Sequence, residues 1–153
     1  MSNNNRLLNE YNEFIKKRPL GSFGGPIDMN KLDEWVVTIP GPVGSLYEGG
    51  KFKVKISFPP DYPNTVPKCQ FETKVLHPNI TFEKGLICVR FLKQNGWNDI
   101  DEKNIFTIIL GLYSLLKEPI MNDPININAR YLFEYSRDRY AKLVKSFTNK
   151  FAK

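Results

Sequence analysis

The residues best suited to chemistry lie in one irregular stretch, which holds the only histidine, a cysteine and a tryptophan. In it, His77-Pro78-Asn79-Ile80 precedes Gly85-Leu86-Ile87-Cys88-Val89, and Trp97 follows. A cysteine is well suited to acyl transfer, because a thioester forms readily and remains reactive toward amines. The amide of Asn79 could donate a hydrogen bond to the oxyanion of the tetrahedral intermediate. The stretch is therefore compatible with acyl carriage on Cys88.

Both cysteines also have a plainer interpretation, as small apolar core residues. For Cys88, residue type alone favours that interpretation, and only its neighbours argue for a reactive thiol. Cys69 falls on the apolar side of a predicted strand, so we expect an unreactive core thiol there. Two cysteines are too few for a disulfide framework, which predicts reduced thiols and an intracellular location, in the cytoplasm, the nucleus or both.

Composition is that of an ordinary globular protein, with 41% hydrophobic and 25% charged residues. A length of 153 residues fits one core, so we expect a single domain over residues 1–153 and a monomer. No apolar run approaches the roughly 18 residues that span a bilayer, and the first residues do not resemble a signal peptide. The net charge of +6 is spread along the chain without a recognition motif. We therefore expect neither nucleic acid nor a membrane as a partner, and no metal site.

Hydrophobic periodicity predicts the elements that must position these residues. Helical spacing falls at Arg6–Lys17 and Ile105–Leu116, and Asp123-Pro124 is expected to open a helix that continues to Tyr135. A last helix follows Ser136 as its cap. Period-two alternation predicts strands, which are Trp35–Ile39, Phe52–Phe58, Cys69–Val75 and a short one before Trp35.

The connections between the predicted strands are too short for helical crossovers, which favours an antiparallel meander. The expected fold is α+β: an N-terminal helix, a four-stranded antiparallel meander sheet, and three helices packed on one face. The irregular stretch with Cys88 lies between the sheet and the second long helix.

Several motifs, in this order along nearly the whole chain, resemble the ubiquitin-conjugating enzyme family. They are Trp35 to Pro42, Tyr47-Glu48-Gly49-Gly50, Phe58-Pro59-Pro60-Asp61-Tyr62-Pro63, His77-Pro78-Asn79, Gly85-Leu86-Ile87-Cys88, Trp97, Glu118-Pro119 and Asn122-Asp123-Pro124. The chain is identified as a member with the family's fold and a catalytic cysteine.

The resemblance implies that Cys88 accepts ubiquitin from an activating enzyme as a thioester and passes it to a substrate lysine or to a ligase. Asn79 would stabilise the oxyanion or hold the active-site loop. Asp123 would orient the acceptor lysine, although a plain helix cap before Pro124 is also compatible. The resemblance gives His77, Pro78 and Tyr62 structural roles around the loop. It implies no cofactor, since ATP is consumed by the activating enzyme.

The resemblance also implies docking of the activating enzyme and of ligases around the first helix and two loops. Arg6, Asn64, Asn98 and Asp99 are the expected docking residues. Asn64 stands where many members have Phe, and Asn98-Asp99-Ile100 replaces the usual turn after the tryptophan.

Three further departures concern the active site itself. Asn79 and Cys88 are nine residues apart, one more than is common, so the Thr81–Lys84 loop is expected to bulge. Arg90 stands where an acidic or amide residue is frequent, and Ile120 where many members have Asn.

Three alternatives remain open from the sequence. The same scaffold serves other ubiquitin-like modifiers such as SUMO. A non-catalytic member would bind ubiquitin without carrying it, although such variants usually lack the cysteine. A cysteine hydrolase built on Cys88 and His77 would need an orienting third residue, and none is evident.

Overall fold

A computed structural model describes residues 3–153. The helices are α1 (Asn3–Lys17), α2 (Gln94–Asn98), α3 (Ile105–Lys117), α4 (Ile127–Tyr135) and α5 (Arg137–Phe151). The strands are β1 (Phe23–Asp28), β2 (Lys31–Pro40), β3 (Lys51–Ser57) and β4 (Lys68–Phe71). Short 3-10 helices occupy Pro19–Gly21 and Arg90–Leu92.

The four strands form one antiparallel sheet in the order β1-β2-β3-β4, which confirms the predicted meander. On the central strands, Trp35 pairs with Ile56 and Val37 with Val54, and all four side chains are buried. The lysines of β3 alternate with these residues and are exposed on the opposite face. Only one face of the sheet is therefore available to the apolar sides of the helices.

Helices α1 and α3 pack on this sheet and position the expected docking region and the active site. Leu7 and Phe14 of α1 are buried, and the Phe14 ring packs near Trp35, with 6.1 Å between centroids. Helix α3 begins at the N-cap Asn104, whose side chain accepts the Thr107 N–H at 3.0 Å. Its buried residues make it a central helix, as the sequence predicts.

The third predicted strand is too long: β4 ends at Phe71 and does not continue to Val75. The chain leaves the ladder because both Glu72 and Thr73 turn back onto Lys53. The Glu72 N–H donates to the Lys53 carbonyl at 2.8 Å, and the Thr73 hydroxyl accepts the Lys53 N–H at 2.9 Å.

The prediction that Asp123-Pro124 opens a helix is wrong. Helix α4 begins at Ile127 with Asn126 as N-cap, whose side chain accepts the Ala129 N–H at 3.0 Å. The amides of Ile125 and Asn126 instead donate to the Pro78 carbonyl, at 2.8 and 3.0 Å. This long-range contact holds the segment in a loop and leaves Asp123 outside the helix.

Two smaller differences concern the irregular stretch and the last helix. The stretch after Cys88 contains the short helix α2, which weak local periodicity did not predict. Ser136 precedes α5 as predicted, but its side chain makes no capping hydrogen bond. Within residues 3–153, no helix is long and apolar enough to cross a membrane.

Candidate active site

Cys88 is held by a small hairpin that pairs with the edge of the sheet. Ile80 forms an antiparallel bridge with Ile87, and the Cys88 N–H donates to the Asn79 carbonyl at 2.8 Å. The turn of this hairpin closes where the Gly85 N–H donates to the Thr81 carbonyl at 2.9 Å. The Cys88 side chain is half-buried and free of any disulfide.

Gly85 lets the hairpin approach the sheet this closely. Its φ is +71°, a conformation that favours glycine, and a Cβ here would lie 1.9 Å from the Phe71 carbonyl oxygen. The Phe71 N–H donates to the Gly85 carbonyl at 2.9 Å. The Gly85 before Leu86-Ile87-Cys88 is therefore a requirement of backbone geometry.

Asn79 ties together the segments on both sides of Cys88. Its amide nitrogen lies 2.8 Å from the Ile120 carbonyl, 3.0 Å from that of Asp123 and 3.3 Å from that of Cys88. Its carbonyl oxygen accepts the Ile120 N–H at 2.9 Å. The side chain is fully buried. Its polar atoms bind the loop backbone. Of its two expected roles, stabilising the oxyanion and holding the loop, the geometry therefore supports holding the loop.

Ile120 contacts Asn79 only through its backbone, so the departure from Asn at this position leaves the contact intact. Both its N–H and its carbonyl bind the Asn79 amide, while its side chain is exposed. Any residue other than proline offers the same two groups.

Both ring nitrogens of His77 bind backbone groups, so the side chain supports the loop and does not act as a base. Its Nδ1 accepts the Asn79 N–H at 3.0 Å, so the proton lies on Nε2, which donates to the Leu115 carbonyl at 2.7 Å. Burial lowers the pKa of His77 to about 4, and the ring is neutral near pH 7. With both nitrogens bound to backbone, the ring has no free lone pair for a thiol, which argues against a hydrolase built on Cys88 and His77.

Asp123 lies on the loop that Asn79 fixes, so the geometry places its backbone beside the cysteine segment. Because the carbonyls of Cys88 and Asp123 both lie within 3.3 Å of one amide nitrogen, the two backbones are neighbours. The Asp123 carboxylate is partly exposed and lies 3.7 Å from the Lys93 ammonium. A carboxylate in this position already attracts an amine.

The Tyr62 side chain packs near two aromatic rings and binds one buried carboxylate, and its support of the active-site loop stays a prediction. Its ring lies 4.6 Å from Phe58 and 6.4 Å from Trp97 between centroids. Its hydroxyl donates to the carboxylate of Glu10, whose oxygens lie at 2.9 and 3.0 Å. Burial raises the pKa of the Tyr62 hydroxyl, which therefore stays protonated as a donor.

Sequence reasoning missed Glu10, which looks like an ordinary surface charge on a helix. Its carboxylate also accepts the Ile105 N–H at 2.7 Å and pairs with Arg6 at 2.8 Å. Burial raises the pKa of Glu10. It therefore joins α1, the Tyr62 turn and the first turn of α3 at one buried point.

The expected docking residues lie along one connected surface. The Arg6 guanidinium donates to the Lys103 carbonyl, and the Lys103 ammonium donates to the Asn98 carbonyl at 3.4 Å. Gln94, which the sequence did not single out, joins the loop and α2: its amide nitrogen donates to the Asn64 carbonyl at 2.9 Å and to the Asn98 side chain at 2.7 Å. Asn64 and Asn98 are exposed.

Two departures from the family pattern contact each other. The Arg90 guanidinium pairs with the Asp99 carboxylate at 2.5 Å, and both side chains are about two-thirds exposed. The pair connects the segment just after Cys88 with the turn after Trp97 on the docking surface.

Cys69 is part of the fold and lies apart from this constellation. It pairs with Ile56 in the sheet and packs against the core. Burial raises the pKa of the Cys69 thiol to about 12, which makes it a poor nucleophile near neutral pH.

The α+β scaffold presents one half-buried thiol on a loop that an asparagine fixes beside the Asp123 backbone. These features define a carrier suited to acyl transfer. Comparisons agree with this class: the ubiquitin-conjugating enzyme family model matches residues 6–148. A solved E2 domain of a Toxoplasma gondii ubiquitin conjugating enzyme superposes with a TM-score of 0.86 at 32% identity, covering 97% of each chain.

Two viral proteins are also similar. The "Ubiquitin-conjugating enzyme E2" of African swine fever virus is 34% identical over 94% of this chain and 71% of its own length. The "Probable ubiquitin-conjugating enzyme E2 L460" of Acanthamoeba polyphaga mimivirus is 35% identical over 95% of this chain and 92% of its own. The chain belongs to the ubiquitin-conjugating enzyme family, a family of transferases. Its members generally work without a cofactor, and membership implies ubiquitin, an activating enzyme and a ligase as partners.

Proposed function

We propose that this protein carries ubiquitin on the Cys88 thiol and transfers it to a lysine amine, with Asn79 holding the loop and Asp123 receiving the amine. The observation that carries this proposal is the fourfold contact of Asn79, whose side chain fixes the Cys88 and Asp123 segments together.

The first step is a transthiolation. The Cys88 thiolate attacks the carbonyl carbon of the thioester on the activating enzyme. The new C–S bond forms, the old one breaks, and the activating enzyme leaves as a thiolate. No base on this chain is needed beyond loss of the thiol proton to solvent, and His77 is not available for that purpose.

The second step is aminolysis of the Cys88 thioester. The neutral lysine amine attacks the same carbonyl, a C–N bond forms, the C–S bond breaks and Cys88 leaves as a thiolate. The amine loses one proton before attack and another afterwards. Asp123 orients the incoming ammonium, and desolvation at the site favours loss of its proton to solvent.

The proposal extends to the partners and the setting of the protein. Arg6, Asn64, Asn98 and Asp99 form the docking surface for the activating enzyme and ligases, with Glu10, Gln94 and Lys103 holding it in shape. Residues 1–153 act as one monomeric domain in the cytoplasm, the nucleus or both, with no cofactor on this chain and no nucleic-acid or membrane partner.

Single-turnover discharge tests the division of roles. The protein is charged with labelled ubiquitin, charging is quenched, and free lysine or free cysteine is added. Asp123→Asn should keep the thioester and its discharge to cysteine, while discharge to lysine falls about tenfold or more. An equal loss toward both acceptors would contradict the role of Asp123, and transfer only to cysteine in the native protein would contradict direct transfer to lysine.

A further inference from the structure

Three aromatic rings connect a hairpin turn to the C-terminal part of helix α5. The Phe82 ring lies 5.1 Å from the Phe147 ring and 6.0 Å from the Phe151 ring between centroids. The Lys74 ammonium lies 5.4 Å from the Phe82 centroid and 6.0 Å from that of Phe151. The same ammonium pairs with the Glu83 carboxylate of the turn at 3.3 Å. We call the three rings and Lys74 the Phe82 cluster.

Phe82 lies in the turn of the hairpin that carries Cys88. Ile80 and Ile87 pair across this hairpin, so Phe82 stands in the turn between them and Cys88 follows the returning strand by one residue. An isolated two-stranded hairpin is only marginally stable in water. The geometry of this hairpin therefore depends on the elements that it packs against.

The hairpin is attached to the rest of the fold along one side and at its turn. Along one side it binds the edge of the sheet, where the Phe71 N–H donates to the Gly85 carbonyl at 2.9 Å. The Gln70 amide also donates to the Lys84 carbonyl at 2.6 Å. An attachment along one edge permits rotation about that edge. The contacts of Phe82 with α5 are a second attachment, to a different element, and they oppose this rotation.

We propose that Phe82 is a positioning residue for the reactions of Cys88. It holds the hairpin turn on α5 and thereby sets where the returning strand presents the thiol. The inference rests on the proposed carriage of ubiquitin on Cys88. Attack on a thioester requires the amine and the carbonyl carbon to meet within a narrow range of distances and angles. A small rotation of the hairpin therefore slows the reaction without changing how tightly the acceptor amine binds.

Single-turnover discharge to free lysine tests this role with four variants. Phe82→Ala removes the ring, Phe82→Tyr keeps it, and Phe147→Ala removes its partner on α5. Leu143→Ala is the matched control, because Leu143 is half-buried on the same helix, one turn before Phe147, and packs against the core. Each protein is charged with labelled ubiquitin, charging is quenched, and discharge rates are measured over a range of lysine concentrations. Hydrogen exchange of the Cys88 amide in the uncharged proteins reports on the hairpin itself.

Phe82→Ala should lower the maximal discharge rate about fivefold or more and leave the KM for lysine unchanged. Its Cys88 amide, which donates to the Asn79 carbonyl at 2.8 Å, should exchange at least about tenfold faster. Phe82→Tyr and Leu143→Ala should keep the native maximal rate. Phe147→Ala should resemble Phe82→Ala, and the two changes together should add little, because they disrupt one contact.

Three results would overturn the positioning role. They are a native maximal rate in Phe82→Ala, a change in the KM for lysine alone, and an equal loss of rate in Leu143→Ala, which would assign the effect to stability. If Phe82→Ala does not fold, Phe147→Ala provides the same comparison with Leu143→Ala.

The failure of this inference can be told apart from the failure of the function on which it rests. If the native protein forms no thioester on Cys88, the proposed function and the positioning role are both refuted. If the native protein charges and discharges, and both Phe82→Ala and Phe147→Ala do so at native rates, the positioning role alone is refuted.

Discussion

Asn79 is the residue on which the geometry around Cys88 depends. Its buried amide makes contacts with three segments, and no other side chain in residues 3–153 binds both the Cys88 and the Asp123 backbone. Replacing it with Ala leaves the Ile120 N–H and several carbonyls without that partner in a buried site. Because the segments can relax and water can reach these partly buried groups, we expect a total cost of about 1 to 3 kcal/mol.

We expect Asn79→Ala to charge with ubiquitin but to discharge to lysine at least tenfold more slowly, because the Asp123 loop is no longer fixed. Its free energy of unfolding should also fall by about 1 to 3 kcal/mol. Discharge kinetics and urea unfolding measure the two effects. A slow variant with unchanged stability would contradict a holding role and would favour oxyanion stabilisation instead.

Lys93 occupies the place beside Asp123 that the acceptor amine reaches in the proposed function. Its ammonium lies 3.7 Å from the Asp123 carboxylate, and both side chains are partly exposed, so the pair stabilises the protein by at most about 1 kcal/mol. We expect Lys93→Gln to lower the KM for free lysine about two- to fivefold, because an incoming amine no longer competes with it. Lys145→Gln on α5 is the matched control.

Discharge rates measured over a range of lysine concentrations give the KM. Salt at 0.5 M should reduce the difference in KM between the native and variant proteins. A higher KM in Lys93→Gln would show that Lys93 assists the acceptor and would contradict the competition.

His77 should make the protein less stable in mild acid. Its pKa is about 4 in the folded protein and 6.5 ordinarily, so folding favours the neutral ring. This stabilisation is complete above pH 6.5 and is lost as the pH falls from 6.5 toward 4. Since His77 is the only histidine, we expect a loss of about 1 kcal/mol between pH 7 and pH 5.5.

Urea unfolding at the two pH values measures this loss, with His77→Asn as the comparison. The variant should be less stable at pH 7 but should change little between pH 7 and pH 5.5. An equal change in both proteins would show that other groups cause it.

At the scale of elements, Glu10 joins three parts of the chain that are distant in sequence. Its carboxylate binds the Tyr62 hydroxyl, the Ile105 N–H and Arg6. Glu10→Ala should lower the free energy of unfolding by about 2 to 4 kcal/mol, because buried donors lose their acceptor. It should also weaken charging by the activating enzyme, since Arg6 and the Tyr62 turn lose their common anchor.

Glu13→Ala is the control for this prediction, because Glu13 lies on the same helix and makes only exposed pairs with Lys16 and Lys17. Thermal or urea unfolding of the two variants gives the comparison. Similar small losses in both would mean that Glu10 is no more than a surface charge.

The helices and central strands were predictable because their signal is local. Leu7, Phe14 and the buried residues of α3 repeat at helical spacing, and β3 alternates lysines with apolar residues. The features of the fold that the sequence did not predict depend on contacts between distant segments. Asp123-Pro124 has the composition of a helix start, but the Pro78 carbonyl binds the following amides and moves the start to Ile127.

In the candidate site too, residues within a local motif were predicted, and residues whose roles depend on distant contacts were not. Cys88, Asn79 and Asp123 were identified through a motif, and the structure brings their segments together. Glu10, Gln94 and Lys93 carry no local signal, since each is a polar residue on an amphipathic or irregular segment. Their roles follow only from what packs opposite them.

At the scale of the whole molecule, three regions meet around one thiol. The hairpin of Cys88 pairs with the sheet edge, the Asp123 loop leads into helix α4, and the Arg90–Asp99 pair leads to the expected docking surface. The central claim is that Cys88, and not Cys69, carries ubiquitin.

A charging assay tests this claim most directly. The native protein, Cys88→Ser and Cys69→Ser are mixed with activating enzyme, ATP and either ubiquitin or SUMO, and non-reducing and reducing gels are compared. We expect a reductant-sensitive ubiquitin adduct in the native protein and in Cys69→Ser, and in Cys88→Ser either a reductant-resistant ester or no adduct. An adduct with SUMO alone would contradict ubiquitin as the modifier. No adduct with either, or a reductant-sensitive adduct that persists in Cys88→Ser, would contradict carriage on Cys88.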